Sequence, residues 1–293
     1  MIRERLNTYN KAHCWQYDIR VQNLEQDLAE AGLTFDSITA LRVSDFSFKR
    51  VTDKAQRGTL KKFIERHEWL GTLSQYTTHW FACYYKETIL AGVILFNLPN
   101  TFSKLLGEDT PKLERLISRG ACVSWSPKNL ASSFLMWSIR QVARTSSFRL
   151  FTAYSDPTAK ELGTIYQACN FYYLGQKAGT LLQYVNPYTG KITSDRYFRQ
   201  KTAYRKFAKE LGITWQPNWS HATGMSWNNV PPNIVTLLRA YSKQKQANSE
   251  KVAVMPKHKY AYLEGLNKKE TVELRVLFCS LNKTYPYPKE RGK

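Results

Sequence analysis

The sequence has no two cysteines close enough together to form a recognisable motif. Its five cysteines are widely separated and lie at Cys14, Cys83, Cys122, Cys169 and Cys279. Zinc knuckles and small disulfide frameworks depend on regular, short cysteine spacings, so the sequence predicts neither of them. Isolated thiols are typical of proteins in a reducing compartment.

Long apolar runs are also missing. Nowhere do eighteen apolar residues follow one another, whereas a membrane-spanning helix needs about 20. The chain begins Met1-Ile2-Arg3-Glu4-Arg5 and continues with polar residues, which does not resemble the apolar core of a signal peptide. We therefore expect a cytoplasmic protein without a membrane partner.

Negative charge is scarce. The chain has 23 Asp and Glu against 43 Lys and Arg, a formal net charge of +20. Residues 190–293 carry 20 Lys and Arg and 7 Asp and Glu, and so contribute +13 of that total. Such a surface attracts polyanions and releases counterions when it meets phosphates. Lys257-His258-Lys259-Tyr260 and Tyr285-Pro286-Tyr287 alternate these charges with aromatic rings, which favours a nucleic-acid partner.

Composition and the positions of turn-forming residues predict three regions. A hydrophobic share of 43% over 293 residues is enough for one large domain with an extension. We predict an N-terminal helical segment over residues 1–38, a catalytic domain over residues 39–186, and a basic DNA-binding extension over residues 187–293. The extension includes a basic helix near Arg196 to Leu211.

The central region predicts an α+β fold around a mixed sheet. Trp80 to Tyr85 and Ile89 to Phe96 are β-rich runs on either side of Lys86-Glu87-Thr88, a pattern typical of a hairpin. Leu116 to Ser124 predicts a further strand. A helix should then begin after Asn129 and continue to about Arg144.

The start of that helix is a candidate phosphate site. Its first turn offers unpaired backbone N–H groups beside Ser132 and Ser133, with Lys128 and Arg119 near in sequence. An ordinary capped helix would have the same residues at its start. The pattern therefore permits a coenzyme A-like ligand without requiring one.

Two family resemblances add to this interpretation. Tyr166, Asn170-Phe171 and Gly175 resemble the last motif of the GCN5-related acetyltransferase superfamily. A larger set of segments is similar to the Mom family of phage DNA-modification proteins and covers about residues 60–186. These segments are His67–Gly71, Ser118–Ala121, Ser124-Trp125, Lys128-Asn129, Ser132-Ser133, Tyr154–Pro157 and Gly163–Asn170.

The resemblance implies both a fold and an activity. The fold would be acetyltransferase-like, α+β, with a mixed, splayed β-sheet flanked by helices and a basic C-terminal extension. The activity would be acetyl-CoA-dependent carbamoylmethylation of the N6 amine of adenine in double-stranded phage DNA, which protects the genome from restriction. Iron is a candidate cofactor of such proteins, but no ligand spacing is recognisable here.

Residue roles follow from the resemblance as hypotheses. The candidate catalytic residues are Asp156, Tyr166, Glu68 and Tyr154. The candidate cofactor-binding residues are Arg119, Gly120, Ser124, Lys128, Asn129, Ser132, Ser133 and Asn170. The candidate DNA-binding residues are Trp69, Trp125, Lys257, Lys259 and Tyr260.

Each catalytic candidate also has a structural interpretation. Asp156 precedes Pro157 and could have no role beyond capping a turn. Glu68 could orient the amine or a metal, or simply be solvated. Tyr166 could protonate a departing thiolate, or pack in the core with its hydroxyl satisfied.

Two other functions remain open at this point. The chain could be an ordinary N-acetyltransferase that acts on a protein, a small amine or an RNA base. It could also be a non-catalytic DNA-binding protein on an acetyltransferase scaffold.

Overall fold

The computed structural model describes residues 14–73, 76–99, 101–178, 182–222 and 224–289. The chain folds into two units, the first formed by Met1–Ala178 with Lys257–Lys293 and the second by Gly179–Pro256. This division differs from the boundaries predicted at residues 38 and 186, because part of the predicted extension returns to the first unit.

The strands are β1 (Phe46–Arg50), β2 (Thr77–Tyr85), β3 (Ile89–Asn97), β4 (Leu105–Glu108), β5 (Glu114–Cys122), β6 (Leu150–Ser155), β7 (Tyr172–Ala178), β8 (Leu182–Val185), β9 (Ile192–Thr193), β10 (Lys251–Ala253) and β11 (Lys257–Leu263). The α-helices are α1 (Trp15–Ala31), α2 (Arg57–His67), α3 (Thr110–Leu113), α4 (Leu130–Thr145), α5 (Thr164–Ala168), α6 (Lys201–Glu210), α7 (Pro232–Asn248) and α8 (Lys268–Leu281). In the described part of the chain, no helix is long and apolar enough to cross a membrane.

The first unit is built on a seven-stranded mixed sheet in the order β1-β2-β3-β5-β6-β11-β7. Only β5 and β6 are parallel; the other neighbours are antiparallel. Side chains alternate between the two faces of a strand. Phe151 of β6 packs in the same core as α4, whereas its neighbour Leu150 packs with Phe278 of α8. Helices therefore cover both faces, and the predicted fold class is confirmed.

The two parallel strands pair over only part of their length. Their pairing runs from Glu114 opposite Leu150 to Ile117 opposite Ala153, although β5 continues to Cys122. The remaining half of β5 stays paired with β3 alone on the other side. This separation is the predicted splay of the sheet.

A β-bulge in β5 marks the point of separation. The register of β5 against β3 shifts so that Ile117 and Arg119 face consecutive residues of β3, which leaves Ser118 unpaired. A bulge bends its strand and increases the local twist. The Ser118 hydroxyl lies 2.8 Å from Oδ1 of Asn97 in β3, a contact that holds the bulge in place.

The predicted hairpin and long helix are both present. Lys86 and Glu87 have positive φ angles of 45° and 63° in the turn between β2 and β3. This backbone matches the tight hairpin turns whose twist suits the flanking strands. Helix α4 buries Leu135, Ile139 and Val142 at helical spacing, as its apolar pattern predicts.

Strand β11 lies within the region that the sequence indicated as a basic extension. It pairs with β6 on one side and β7 on the other. Tyr260 is 0% exposed and His258 is buried, whereas Lys257 and Lys259 are half-buried. The alternation of lysine and aromatic residues therefore reflects the two-residue period of a strand, in which successive side chains point to opposite faces of the sheet.

The second unit has its own small core. Its three strands are ordered β10-β8-β9, and Phe198, Phe207 and Leu238 are fully buried. Helix α6 is shorter than the predicted basic helix, because Asp195–Arg199 forms a separate 3-10 turn.

A buried carboxylate connects α1 to the central sheet. Asp27 accepts hydrogen bonds from Nε2 of His67 and from the backbone N–H of Ser124, each at 3.0 Å, and it pairs with Arg66. Its backbone carbonyl accepts the indole N–H of Trp125 at 3.1 Å. Burial alone raises the pKa of Asp27, but the hydrogen bonds from His67 and Ser124 outweigh it and leave the pKa below its usual value.

We predict that Asp27→Asn lowers the free energy of unfolding by about 3 kcal/mol, because it leaves Arg66 without its buried anion and replaces one acceptor oxygen with an NH2 donor. The lowered pKa means that the carboxylate stabilises the fold above its unfolded pKa of about 3.9. That stabilisation is lost as the pH falls through the folded value. Urea unfolding at pH 7 and below pH 4 checks both points, with the exposed Asp36→Asn as the control. An equal effect of the two variants at pH 7 would contradict the assignment.

Candidate functional site

The candidate site lies beside the opening between β5 and β6. Its side chains come from the end of α2, the splayed half of β5, the end of β6, the loop before α5, helix α5 and the start of β11. We use the name site cluster for Glu68, Asp156, Glu161 and Tyr166.

Asp156 directly follows β6 and precedes Pro157. Its Oδ2 lies 2.9 Å from Nζ of Lys257, and its Oδ1 accepts the backbone N–H of Thr158 at 3.0 Å. The residue therefore caps the turn, as the structural interpretation predicted, and also forms an ion pair. Its side chain remains 16% exposed.

Glu68 ends α2 and is held by its own loop. Its Oε2 accepts the backbone N–H groups of Leu70 at 3.0 Å and Gly71 at 2.8 Å, and Nε of Arg119 lies 3.7 Å away. Gly71 has φ +60°, a conformation that turns the chain back onto the carboxylate. Burial raises the pKa of Glu68, although Arg119 and the two N–H donors act against the shift.

Glu161 is the member of the cluster that the sequence analysis missed. Its backbone N–H donates to the carbonyl of Asp156 at 3.1 Å. Burial raises the pKa of its carboxyl group to about 7; the charges of Glu68 and Asp156 add to the rise, while hydrogen bonds from the Asp156 backbone and the Trp69 side chain oppose it. A carboxyl group with this pKa changes its protonation state near neutral pH.

Tyr166 lies on α5 and packs against the core. Its ring centroid is 5.3 Å from that of Phe171 and 5.3 Å from that of Tyr260. Burial raises the pKa of its phenol, and the nearby carboxyl groups of Glu161 and Glu68 raise it further. The phenol therefore keeps its proton at neutral pH and can act as a hydrogen donor.

The predicted cofactor residues fall into separate places. Arg119 is tethered, because its Nε donates to the carbonyl of Thr72 at 2.7 Å, and Gly120 beside it is exposed on the splayed half of β5. Ser124 is 1% exposed, and its N–H is committed to Asp27, so it contacts no ligand in this conformation.

The residues around the start of α4 do lie together. Lys128 and Asn129 are exposed, and Ser132 and Ser133 are half-buried in the first helical turn. The Sγ of Cys169, which precedes Asn170, lies 3.8 Å from the carbonyl of Ser132. The end of α5 is thereby held against the start of α4.

Other predicted residues lie away from the cluster. Tyr154 alternates with Ser155 along β6 and has Glu114 and Lys259 as its neighbours; burial raises its pKa to about 12. Trp125 is 2% exposed and packs against Phe46 and Tyr85, so its ring cannot stack on a base here. The same holds for the fully buried Tyr260.

The aromatic C-terminal segment packs against the first unit. The hydroxyl of Tyr287 donates to the carbonyl of Phe171 at 2.6 Å, and the backbone N–H of Tyr285 donates to the carbonyl of Tyr173 at 2.9 Å. These tyrosines therefore cover the edge of β7, and their packing there is an alternative to the nucleic-acid groove that the sequence indicated.

No three His, Cys, Asp or Glu side chains are arranged to hold a metal ion in the described residues. The three carboxyl groups of the site cluster are instead engaged by Lys257, by Arg119 and by backbone N–H groups. Among the described residues, we therefore assign no ligands to the candidate iron.

The Mom protein family is the family whose model matches this sequence, over residues 46–227. No curated protein matches it. Among solved structures, the chain is similar to an N-acetyltransferase from Staphylococcus aureus Mu50, with 13% identity over 50% of this chain and 92% of that one and a TM-score of 0.33. It is also similar to the ribosomal L7/L12 α-N-protein acetyltransferase RimL in complex with coenzyme A, with 10% identity, coverages of 76% and 96% and a TM-score of 0.38. A tandem GNAT protein from the clavulanic acid biosynthesis pathway gives 12% identity, coverages of 83% and 95% and a TM-score of 0.35.

A close backbone approach positions α5 and gives a testable prediction. Gly163 has φ +66°, and a Cβ atom there would lie 2.6 Å from the Tyr260 ring. Gly190 has almost the same backbone, φ +68°, with nothing within 4 Å of a Cβ atom. We expect Gly163→Ala to lower the free energy of unfolding by about 2 kcal/mol more than Gly190→Ala, because only the first substitution adds overpacking. Chemical denaturation of both variants measures this difference, and equal losses would show that the approach is not tight.

Proposed function

Because the chain belongs to the Mom protein family, whose model matches residues 46–227, we propose that it modifies adenine in double-stranded DNA with a unit derived from acetyl-CoA. In this proposal the N6 amine gains a carbamoylmethyl group, and the modified DNA resists restriction in the host cell. The new bond joins N6 to the methyl carbon, so one hydrogen leaves each atom and a two-electron oxidant must take them. A nitrogen donor must also displace the thiolate of coenzyme A to form the carboxamide. The observation that carries the proposal is the site cluster beside the opening of the sheet.

The splayed strands support acetyl-CoA as the cofactor. Beyond Ile117, the edge of β5 that faced β6 is no longer paired with it. Its backbone N–H and C=O groups can bond to the amide groups of a pantetheine arm in the way that a neighbouring strand would. When bound, acetyl-CoA supplies a two-carbon unit as an activated thioester.

The start of α4 supports a pyrophosphate at the same opening. The first N–H groups of a helix have no partner within it, and the helix dipole favours negative charge there. The exposed Lys128 adds a positive charge in the turn. Ser133 and Asn129 lie beside it, in the first turn that the sequence analysis indicated.

The site cluster can supply hydrogen bonds and protons. Tyr166 keeps its proton at neutral pH because burial raises its pKa, so it can protonate a departing thiolate. The carboxylate of Asp156, fixed by Lys257 and the Thr158 N–H, can accept a hydrogen bond from the adenine amine and orient it. Glu68, the remaining carboxyl group proposed for catalysis, lies beside Arg119.

Adenine N6 lies on the pairing edge of the duplex, so the base must leave the stack before it can react. Trp69 is half-buried at the cluster, with its ring centroid 5.2 Å from that of Trp15, and can stack on an extruded base. The formal charge of +20 supports binding to the phosphate backbone, and Lys257 and Lys259 lie next to the site on β11.

We predict that DNA from cells expressing the wild-type protein contains modified adenine and that Asp156→Ala lowers its amount about 100-fold, a typical loss when a reacting group is no longer held in position. Mass spectrometry of digested nucleosides measures both. Asp195→Ala is the matched control, because Asp195 forms an ion pair with Arg199 in the second unit and its loss should change nothing.

The same experiment separates the alternative functions. Acetyl-CoA turnover without DNA, together with unaltered adenine, would indicate an ordinary N-acetyltransferase. DNA binding with a steep salt dependence, but no effect of Asp156→Ala or Tyr166→Phe, would indicate a non-catalytic DNA-binding protein. Either result would refute the proposal.

A further inference from the structure

We propose that Arg20 of α1 is a positioning residue for the pyrophosphate of coenzyme A: it holds the turn between β5 and α4 in the shape that presents the start of α4 to the cofactor. This inference rests on the proposed function, in which the start of α4 binds acetyl-CoA. It gives a role to α1, which lies outside residues 46–227 that the Mom protein family model matches. Arg20 acts through the turn and not by contact with the cofactor.

Arg20 reaches the turn with the end of its side chain. Its Nη2 donates to the backbone carbonyl of Ser124 at 2.9 Å and lies 3.4 Å from the hydroxyl oxygen of Ser126. The partners are 104 and 106 positions away along the chain, so these are tertiary contacts. A hydrogen bond from a charged donor is about twice as strong as one between neutral groups. The carbonyl of Ser124 is therefore fixed by a cation from another element.

Asp27 holds the same segment from the same face of α1. It follows Arg20 by about two helical turns, which places both side chains on one side of the helix. Its carboxylate accepts the N–H of Ser124 at 3.0 Å, and its backbone carbonyl accepts the indole N–H of Trp125 at 3.1 Å. Both backbone polar groups of Ser124 are therefore bound by side chains of α1.

The segment from these contacts to the proposed phosphate site is short. Only residues 127–129 lie between Ser126 and Leu130, the first residue of α4. The N–H of Ser126 donates to the carbonyl of Val123 at 3.2 Å, and the N–H of Leu130 donates to the carbonyl of Pro127 at 3.3 Å. The proline ring also fixes one backbone angle. A displacement of Ser126 is therefore passed on to the first turn of α4, because the segment between them has little freedom to absorb it.

The first turn of α4 is sensitive to such a displacement. Its free N–H groups bind an anion only at hydrogen-bond distance and in line with the donors. The favourable effect of the helix dipole also falls off within the first turn. A shift of the turn therefore weakens pyrophosphate binding. Asp156, which is held by Lys257 on β11, does not depend on the same contact.

The substitutions Arg20→Gln and Asn23→Ala separate positioning from a general loosening of α1. Nδ2 of Asn23 donates to the carbonyl of Arg66 at 2.9 Å. This bond has the same length as that from Arg20 to Ser124, but it holds α1 to α2 and not to the turn. We measure the Kd of coenzyme A by calorimetry with the full-length protein, and the stability of each variant by urea unfolding.

The two variants should differ in affinity. Arg20→Gln has a shorter side chain and should raise the Kd of coenzyme A about tenfold, as expected for a lost hydrogen bond from a charged group, whereas Asn23→Ala should stay within about twofold of wild type. Urea unfolding should show a loss of stability in both. A purely structural role of Arg20 would give two destabilised variants with the same Kd.

Salt separates positioning from a direct attraction between Arg20 and the pyrophosphate. Direct attraction is screened, so the ratio of the Kd of Arg20→Gln to that of wild type would fall between about 0.05 M and about 0.5 M NaCl. Positioning predicts the same ratio at both concentrations.

Two milder variants support the comparison. Both contacts come from the terminal Nη2, while the buried Nε has no hydrogen-bond partner among the described residues. Arg20→Lys keeps a charged terminal nitrogen donor and should restore the Kd to within about threefold of wild type. Ser126→Ala keeps the arginine, loses only its second contact and should raise the Kd about threefold, the lower range for one hydrogen bond. It tests the contact even if Arg20→Gln does not fold.

The outcomes distinguish this inference from the proposed function. If wild type binds coenzyme A and Ser126→Ala and every folded variant of Arg20 bind it equally well, the inference fails and the function stands. The same conclusion follows if Asn23→Ala weakens binding as much as Arg20→Gln, or if the ratio falls with salt. If wild type binds no coenzyme A, both fail.

Discussion

The separation of β5 from β6 is the constraint on which the rest of the site depends. Parallel pairing ends at Ile117, where the bulge at Ser118 bends β5 away. Without that bend the two strands would pair to their ends and close the sheet. With it, one strand edge is unpaired, and the end of β6 delivers Asp156 to the opening. The later elements α5 and β11 then add Glu161, Tyr166 and Lys257 around a gap that the bulge has created.

The site shows how different surroundings give chemically similar side chains different properties. Asp156 has a lysine partner and a backbone N–H donor. Glu161 has burial and the like charges of Glu68 and Asp156 acting against ionisation of its carboxyl group. Burial raises the pKa of the Tyr166 phenol, and the charges of Glu161 and Glu68 raise it further, so the phenol stays neutral.

Local patterns could be predicted from the sequence where neighbours in the chain determine the structure. The hairpin at Lys86 and the apolar face of α4 are of this kind. Glu161 could not be found, because Glu68 and Trp69, which affect its carboxyl group, follow α2 and are distant in sequence. Trp125 and Tyr260 were assigned to DNA from their residue type, but burial depends on the tertiary fold. The sequence of β11 has the period-two pattern of a strand. Because it also contains lysines, it resembled a nucleic-acid-binding segment.

Charge connects the cluster to its proposed substrate. A chain with a formal charge of +20 attracts a polyanion, yet three carboxyl groups stand where the base would enter. Arg119 and Lys257 offset two of them at 3.7 and 2.9 Å. Burial raises the pKa of the third, Glu161, to about 7, so its charge is the one that changes near neutral pH.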